Sequence, residues 1–338
     1  AEQRLAGICL AALAFVFIGL GVGAAGTSLL ALLAKRVAPD RRAAAASMVW
    51  IMMIMGFVVT ATTAGFLLEP FSLGRLVAVT TAVALGALAL TTVAIWGVEG
   101  STSEAAPVRA TRRPVPFAVA LRDIWDEPRA RRFSIFVFIS MLAYSAQDLI
   151  LEPFAGLVFG LTPGESTRLA GVQHSGVLLG MLVVAFAGRY APLKYWTAGG
   201  CAASALALAA LALGGYLAPV WPLKASVFAL GLANGAFAVA AIGSMMGLAG
   251  AGRAEREGMR MGLFGAAQAI AFGLGGFLGT AGVDAMRYLS NSPVTAYAAV
   301  FIAQALLFLV AASLAIRIER PASVPATLPG AGSLASAR

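Results

Sequence analysis

The sequence predicts an all-α polytopic membrane protein, because it is strongly hydrophobic and carries repeated apolar runs. Hydrophobic residues make up 60% of the 338 residues and charged residues 12%, whereas soluble domains are about 25% charged. Nine runs are long enough to span a bilayer as helices. They lie at residues 5–33, 46–68, 75–97, 133–160, 168–188, 195–216, 221–249, 261–283 and 294–316. An outer-membrane barrel would instead show short segments of alternating hydrophobicity.

A polar segment divides the nine runs into a group of three and a group of six. Residues 98–132 carry seven arginines and four prolines, which is typical of a loop outside the membrane. We therefore predict a partial N-terminal bundle at 1–97, a cytoplasmic linker at 98–132 and a C-terminal six-helix bundle at 133–316. Residues 317–338 are rich in Pro, Ala and Ser, a composition that predicts a disordered tail.

An internal repeat relates the two groups of helices. The sequence GLGVGA at Gly19–Ala24 recurs as GLANGA at Gly231–Ala236, and each copy leads to an arginine-bearing loop. Two parallel six-helix halves joined by a long cytoplasmic loop form the major-facilitator architecture. The repeat therefore predicts a major-facilitator-like 6+6 bundle with nine visible transmembrane helices. The first three helices of its first half are expected to be missing from this sequence.

Positive residues predict the orientation in the membrane. If nine helices alternate, most lysines and arginines fall on one side, together with the linker and the C-terminal tail. The Lys/Arg-rich side faces the cytoplasm, so we expect a bacterial inner-membrane protein with a cytoplasmic C-terminus. Because the net charge of +9 lies in loops beside the spans, it favours anionic lipid at the cytoplasmic face over nucleic acid as a partner.

Five polar side chains lie within the fourth apolar run. Ser140, Tyr144, Gln147, Asp148 and Glu152 are spaced at intervals that place them along one side of a helix. Ionisable groups inside a bilayer are costly and generally face the protein interior or a cavity. We therefore expect this polar stripe to face the bundle centre or a neighbouring helix. The alternative for Asp148 is a purely structural bridge between helices.

The next apolar run carries the only histidine of the chain, His174, directly after Gln173. In an antiparallel hairpin Glu152 and His174 are almost equidistant from the connecting loop, so we predict a hydrogen bond or ion pair between them. Asn234 and Gln268 lie in two further runs, where amides commonly form interhelical hydrogen bonds. The alternative for Glu152 is an interfacial position near the outer surface, and for His174 it is a packed, hydrogen-bonded histidine.

A short sequence from the fourth run occurs twice in the chain. Leu67–Phe71 reads LLEPF and Ile150–Phe154 reads ILEPF. We interpret both as a common type of helix end, in which a polar residue is followed by a proline.

Three stretches are specific enough to compare with known families. They are SMLAYSAQDLILEPFAGLVFGLTPGESTRLAGVQHSGVLLGM (140–181), GLANGAFAVAAIGSMMGLA (231–249) and REGMRMGLFGAAQAIAFGLGGFLGT (256–280). These stretches resemble the PucC/LhaA family of phototrophic bacteria, a divergent branch of the major facilitator superfamily, and within it the branch linked to bacteriochlorophyll synthesis. The resemblance implies assembly of light-harvesting antenna complexes, with antenna polypeptides and (bacterio)chlorophyll as partners.

The resemblance gives the first of two functions from different classes. It is a membrane assembly factor that binds or delivers (bacterio)chlorophyll and chaperones antenna polypeptides. A neutral histidine is a suitable axial ligand for the pigment magnesium, so His174 is the first candidate. Gln147, Gln173, Asn234 or a water molecule are the substitutes. No other cofactor and no protein-held metal centre is predicted.

The alternative function is proton-coupled secondary transport of a small solute. Asp148 and Glu152 would then be the protonation sites, because carboxylates within spans mark proton pathways. Catalysis is not expected, since prenyl-transfer chemistry needs aspartate clusters that bind a magnesium diphosphate. The close acidic groups of this chain are instead in arginine-rich loops, at Asp123, Asp126 and Glu127 and at Glu255 and Glu257.

Overall fold

The computed structural model describes residues 2–37, 42–97, 122, 125–250 and 257–318, and every regular element in these ranges is helical. Nine of these helices are long and apolar enough to cross a membrane. They are α1 (Glu2–Arg36), α2 (Arg42–Leu67), α3 (Leu73–Ile95), α4 (Pro128–Phe159), α5 (Pro163–Ala187), α6 (Leu193–Tyr216), α7 (Leu223–Gly250), α8 (Glu257–Ser290) and α9 (Pro293–Ile318). The predicted multi-pass membrane protein is confirmed.

Local sequence signals explain the ends of α4 and α5. The first residue of α4 is Pro128, a residue favoured at the first helical position, so the helix starts inside the segment predicted as linker. It ends at Phe159 and is capped by Gly160, whose φ of 71° is left-handed and suits glycine. Thr162 and Glu165 then form a capping box at the start of α5, with hydrogen bonds of 3.2 and 2.9 Å.

The chain forms two compact units, which we describe separately. The first, 1–57, contains α1 and the first part of α2, and every side chain from Leu5 to Gly26 is exposed. The second, 58–338, contains the remaining described helices. The predicted boundaries at 97, 132 and 316 stay a prediction.

Six helices of the second unit, α4–α9, pack around a common core. Helix α5 packs most extensively on α7, α6 on α9 and α7, and α4 on α8 and α9. Large aromatic side chains fill the centre; Phe154 of α4, for example, lies edge-on to Phe301 of α9 with ring centres 5.0 Å apart. By contrast, α3 has no buried residue.

Glycines bring α5 and α7 into direct backbone contact. Gly176 and Gly180 lie one turn apart on α5, and Gly231 and Gly235 lie one turn apart on α7. A Cβ atom added at any of the four would overlap a backbone oxygen of the other helix. Such small residues let helix backbones approach one another in lipid.

The glycines of α8 divide into two groups. Cβ atoms added at Gly276 and Gly279 would press on α4, with Leu149 at 2.9 Å and the backbone oxygen of Ala146 at 2.7 Å. A Cβ at Gly262, Gly265 or Gly273 would meet no atom within 4 Å. Among these glycines, those that bring α8 close to α4 therefore lie in the half of the helix that follows Gly273.

Candidate functional site

The polar residues of α4 fall on two different sides of the helix. Ser140 and Gln147 are fully buried, whereas Asp148 and Glu152 are exposed. The predicted stripe is therefore divided between a buried and an exposed side, and the prediction that the two carboxylates face the bundle centre or a neighbouring helix stays a prediction. The reason is geometric: with 3.6 residues per turn, Gln147 and Asp148 point about 100° apart.

Asp148 and Glu152 form a carboxylate face within the membrane span of α4. They are four residues apart, so their side chains are neighbours on the helix surface. Neither carboxylate forms a hydrogen bond or ion pair with another residue in the part of the chain that the structure describes. Two exposed carboxylates among apolar side chains offer acceptors to a polar or cationic partner, or sites for protons.

Tyr144 lies one turn before Asp148 and connects three helices. Its partly buried ring lies 6.3 Å from the ring of Phe237 on α7 and 5.9 Å from the ring of Phe272 on α8. Phe237 follows Asn234 by three residues, and Phe272 follows Gln268 by four. Tyr144, Asp148 and Glu152 thus lie on consecutive turns of α4. The predicted amides Asn234 and Gln268 lie about one turn from the two phenylalanines that Tyr144 contacts.

Buried amides lie within the otherwise apolar interior of the α4–α9 bundle. The Asn234 Oδ1 atom accepts a hydrogen bond of 2.8 Å from Ser204 Oγ, as predicted for an interhelical amide. Its Nδ2 atom, and both amide atoms of Gln147 and of Gln304, have no partner among the described residues. An unsatisfied buried polar group costs about 1–3 kcal/mol, so these groups are strong candidates for bound water or rearrangement. Gln304 was not among the predicted site residues, although it is an amide within the last apolar run.

The predicted residues of α5 and α8 lie on packed helix faces. Gln173 is buried where α5 contacts α7, and its backbone oxygen lies against Gly231. Gln268 is partly buried on α8, and its spacing from the buried residues Phe264 and Ala271 places all three on one face. Their packing roles are thereby described, whereas a role in binding stays a prediction.

His174 is partly buried and bonded to its own helix. Its Nδ1 atom lies 2.8 Å from the backbone oxygen of Ala170, so Nδ1–H donates and the ring carries its proton there. In that tautomer Nε2 is the nitrogen with the lone pair. The predicted hydrogen bond or ion pair between Glu152 and His174 is not formed in the structure, because the Glu152 carboxylate has no such partner among the described residues. Helices α4 and α5 each pack mainly on other helices.

The structure also shows a contact between the end of α2 and the start of α5 that the sequence did not predict. The Glu69 carboxylate accepts hydrogen bonds from Thr162 Oγ1 at 2.9 Å and from Arg168 Nη2 at 3.1 Å. The Arg168 guanidinium also lies over the Phe66 ring, 4.8 Å from its centre. Glu69 is the acidic residue of LLEPF, so this copy of the repeated sequence does more than end a helix.

Small residues support the same contact along α2 and α5. A Cβ atom at Gly65 would lie 2.8 Å from the backbone oxygen of Gly164, and a Cβ at Gly171 would lie 2.6 Å from Thr62 Oγ1. The two helices are therefore held together by both a polar cluster and close backbone approach.

We expect the Glu69–Arg168 pair to contribute modestly to stability. The side chains are 36% and 25% exposed, and pairs of this kind are worth about 0.2–1 kcal/mol. Thermal unfolding in detergent of Glu69→Gln, Arg168→Gln and the double variant should give a coupling energy in that range. Arg189→Gln is the control, because Arg189 stacks on Tyr190 and has no acidic partner among the described residues. Strictly additive effects of the two changes would show that the pair contributes nothing.

Comparison with known proteins gives consistent results. A family model described as PUCC protein matches residues 1–323. The chain is 50% identical over 329 residues to the Bacteriochlorophyll synthase 44.5 kDa chain of Rhodobacter capsulatus, covering 96% of this chain and 76% of that protein. It is 29% identical over 320 residues to Protein PucC of the same organism, covering 93% of this chain and 68% of that one. The predicted family is confirmed.

A solved structure supports the fold. The crystal structure of a bacterial homologue of the human lysosomal transporter Spinster, inward-facing and unoccupied, matches with a TM-score of 0.54 and 15% identity. The match covers 86% of this chain and 73% of that protein. At this identity the likeness concerns the fold alone, and it confirms the predicted major-facilitator-like helix bundle.

Proposed function

We propose that this chain, which belongs to the PUCC protein family, is a membrane assembly factor for photosynthetic light-harvesting antenna complexes. In this role it binds or delivers (bacterio)chlorophyll and chaperones antenna polypeptides. The names of the relatives support the link to photosynthesis. The membrane is the bacterial inner membrane, with the C-terminus in the cytoplasm and anionic lipid at the cytoplasmic face.

The observation that carries this proposal is the carboxylate face of α4. Asp148 and Glu152 are exposed within a span of otherwise apolar character. Charged groups left in hydrocarbon are costly, so such a face favours a polar partner inside the membrane. A membrane helix with polar or basic side chains, or a pigment with polar groups on an apolar ring, provides such a partner.

His174 is the residue of this chain that suits the pigment magnesium. The Nδ1–H bond to Ala170 supports this role, because it favours the tautomer whose lone pair is on Nε2, the nitrogen that would bind magnesium. Histidines that bind metals commonly donate their other N–H to a backbone carbonyl in this way. The pigment itself supplies the magnesium, and the chain supplies a nitrogen ligand and an apolar surface.

Replacing His174 with alanine is therefore expected to reduce the pigment that co-purifies from a pigment-making host. A loss of about tenfold corresponds to about 1.4 kcal/mol of binding free energy, a modest value for an axial ligand. The measurement is the absorption spectrum of the purified protein, normalised to protein. Ser175→Ala is the matched control, because Ser175 makes the same type of bond to the backbone oxygen four residues earlier, at 2.8 Å. Equal pigment in both variants would remove His174 from the site.

Transport is the second candidate, and the same two carboxylates favour it. Asp148 and Glu152 would exchange protons during uptake of a small solute. A colourless preparation with proton-driven uptake in vesicles would support transport over assembly.

Catalysis is not proposed. In one acidic group, Glu127 pairs with Arg260 at 2.5 Å, which supports a charge-balancing role; Asp123 and Glu255 lie outside the described residues.

A further inference from the structure

A long apolar groove runs along α6, away from the carboxylate face of α4. It is bordered by α5 and α7 and has a volume of about 790 Å³. Its walls consist almost entirely of small and aliphatic side chains, such as Gly180, Gly199, Leu232 and Ala236. Pockets of about 300–1,000 Å³ hold drug-sized ligands, so the groove is large enough for a substantial part of a lipid.

The groove has the length of one leaflet of a bilayer. It extends along α6 from Tyr195 to Ala207, and the twelve steps between these residues span about 18 Å at about 1.5 Å each. Half of a hydrocarbon core of about 30 Å is about 15 Å. Tyr195 and Trp196 lie at the end beside the turn Gly188–Tyr190, where amphipathic aromatic residues mark a membrane surface.

Two positive charges lie at that end. Arg189 lies in the turn and Lys194 follows it, and the Lys194 ammonium lies 5.2 Å from the centre of the Tyr195 ring. No Asp or Glu occurs between Ser166 and Ala254. This stretch contains most of α5 and all of α6 and α7, the three helices that line the groove. The charge at the groove end is therefore complementary to a phosphate and not to a cationic group.

Trp196 adds an unsatisfied donor. Its Nε1 atom is buried and has no hydrogen-bond partner among the described residues. A buried donor without an acceptor costs about 1–3 kcal/mol. Because Trp196 lines the groove, a bound molecule with a carbonyl oxygen provides that acceptor when the indole turns toward it.

We infer that this groove binds an anionic glycerophospholipid from the leaflet beside the Gly188–Tyr190 turn. An acyl chain lies between α6 and α7, an ester carbonyl accepts from Trp196, and the phosphate lies beside Lys194. The inference gives a specific site to the lipid contact proposed above and does not depend on the pigment or antenna roles.

The test compares retained lipid in variants of the purified full chain. The protein is mixed with equal amounts of dioleoylphosphatidylglycerol and dioleoylphosphatidylcholine, and retained lipid is read by native mass spectrometry. Gly199→Leu should lower the retained phosphatidylglycerol about fivefold or more, equivalent to about 1 kcal/mol. A Cβ at Gly199 meets no atom within 4 Å, so the new side chain fills the groove without displacing a helix. Gly86→Leu on α3 is the control, because its surroundings are equally open.

Two further variants separate the parts of the site. Trp196→Phe should weaken retention, whereas Trp221→Phe should not, since Trp221 Nε1 already donates to Ser226 Oγ at 2.8 Å. Lys194→Gln should remove the preference for phosphatidylglycerol over phosphatidylcholine. Equal retention in Gly199→Leu and Gly86→Leu would mean annular lipid only and would overturn the inference. Equal retention of the two lipids by the unmodified protein, or a pigment in place of lipid, would overturn it too. Pigment content measured on the same samples tests the proposed function separately.

Discussion

Replacing Gly235 with alanine is expected to lower the free energy of unfolding by at least about 1–3 kcal/mol, the usual range for overpacking. The added Cβ would overlap the backbone oxygen of Val177, and backbone cannot move aside as a flexible side chain can. Helices α5 and α7 would have to separate along the whole Gly176–Gly180 contact. In lipid there is no hydrophobic force to compensate, because close packing itself drives helix association.

Gly199→Ala is the matched control for this change. Gly199 lies on α6, which also packs on α7, but its Cβ position is open. Alanine favours a helix over glycine by about 1 kcal/mol, so this variant should be neutral or more stable. The measurement is thermal unfolding in detergent of the two alanine variants and the unmodified protein. Equal unfolding temperatures for Gly235→Ala and Gly199→Ala would contradict the backbone contact.

The transmembrane helices could be predicted from the sequence because lipid imposes a simple requirement. Every backbone polar group in hydrocarbon must be paired within its own helix, so apolar length alone identifies the spans. Their ends depend on local capping, and the start of α4 at Pro128 differs from the predicted start at 133 for that reason. A hydropathy profile identifies only the apolar residues of a helix, so it does not show that α4 begins within the arginine-rich segment.

Two similar short sequences within the chain do not have similar packing between helices. GLANGA provides Gly231 and Gly235, which touch α5, whereas Cβ atoms at Gly19 and Gly23 of the similar GLGVGA would contact none of the described residues within 4 Å. Closeness depends on the partner helix, and a short motif contains no information about its partner. The Glu69–Arg168 pair illustrates the same point, since 99 residues separate the two side chains.

The sequence identified the polar residues of the candidate site but not the side of α4 on which each one lies. The spacing of Ser140, Gln147 and Asp148 spreads over a wide part of the helix surface, and the prediction treated it as one stripe. The packing of α4 against its neighbouring helices decides that Gln147 is buried while Asp148 is exposed. The sequence contains the polar residues, and the tertiary packing divides them.

Replacing Asp148 with asparagine is expected to leave the protein folded and to reduce antenna assembly about tenfold or more, equivalent to about 1.4 kcal/mol of lost interaction. Asparagine has the same shape, and Asp148 is exposed without a hydrogen-bond or ion-pair partner in the described ranges. A surface change of this kind usually alters stability by less than about 0.5 kcal/mol. The expected loss therefore concerns the charge that a partner meets. The measurement is antenna absorption in membranes of a phototrophic host whose own copy is replaced by the variant.

Asp284→Asn distinguishes the α4 carboxylate face from carboxylates in general. Asp284 is also an exposed carboxylate on a membrane helix, but it lies on α8, near the end of that span. If assembly requires the α4 carboxylate face, cells with Asp284→Asn should have normal antenna absorption when the variant is present at the same amount as the unmodified protein. Glu152→Gln should resemble Asp148→Asn, because the two carboxylates share one face. Normal antenna in Asp148→Asn, with the protein present in the membrane, would instead make Asp148 a structural residue. A partner that needs the charge, and not merely the polarity, of this position would then have to be sought elsewhere in the bundle.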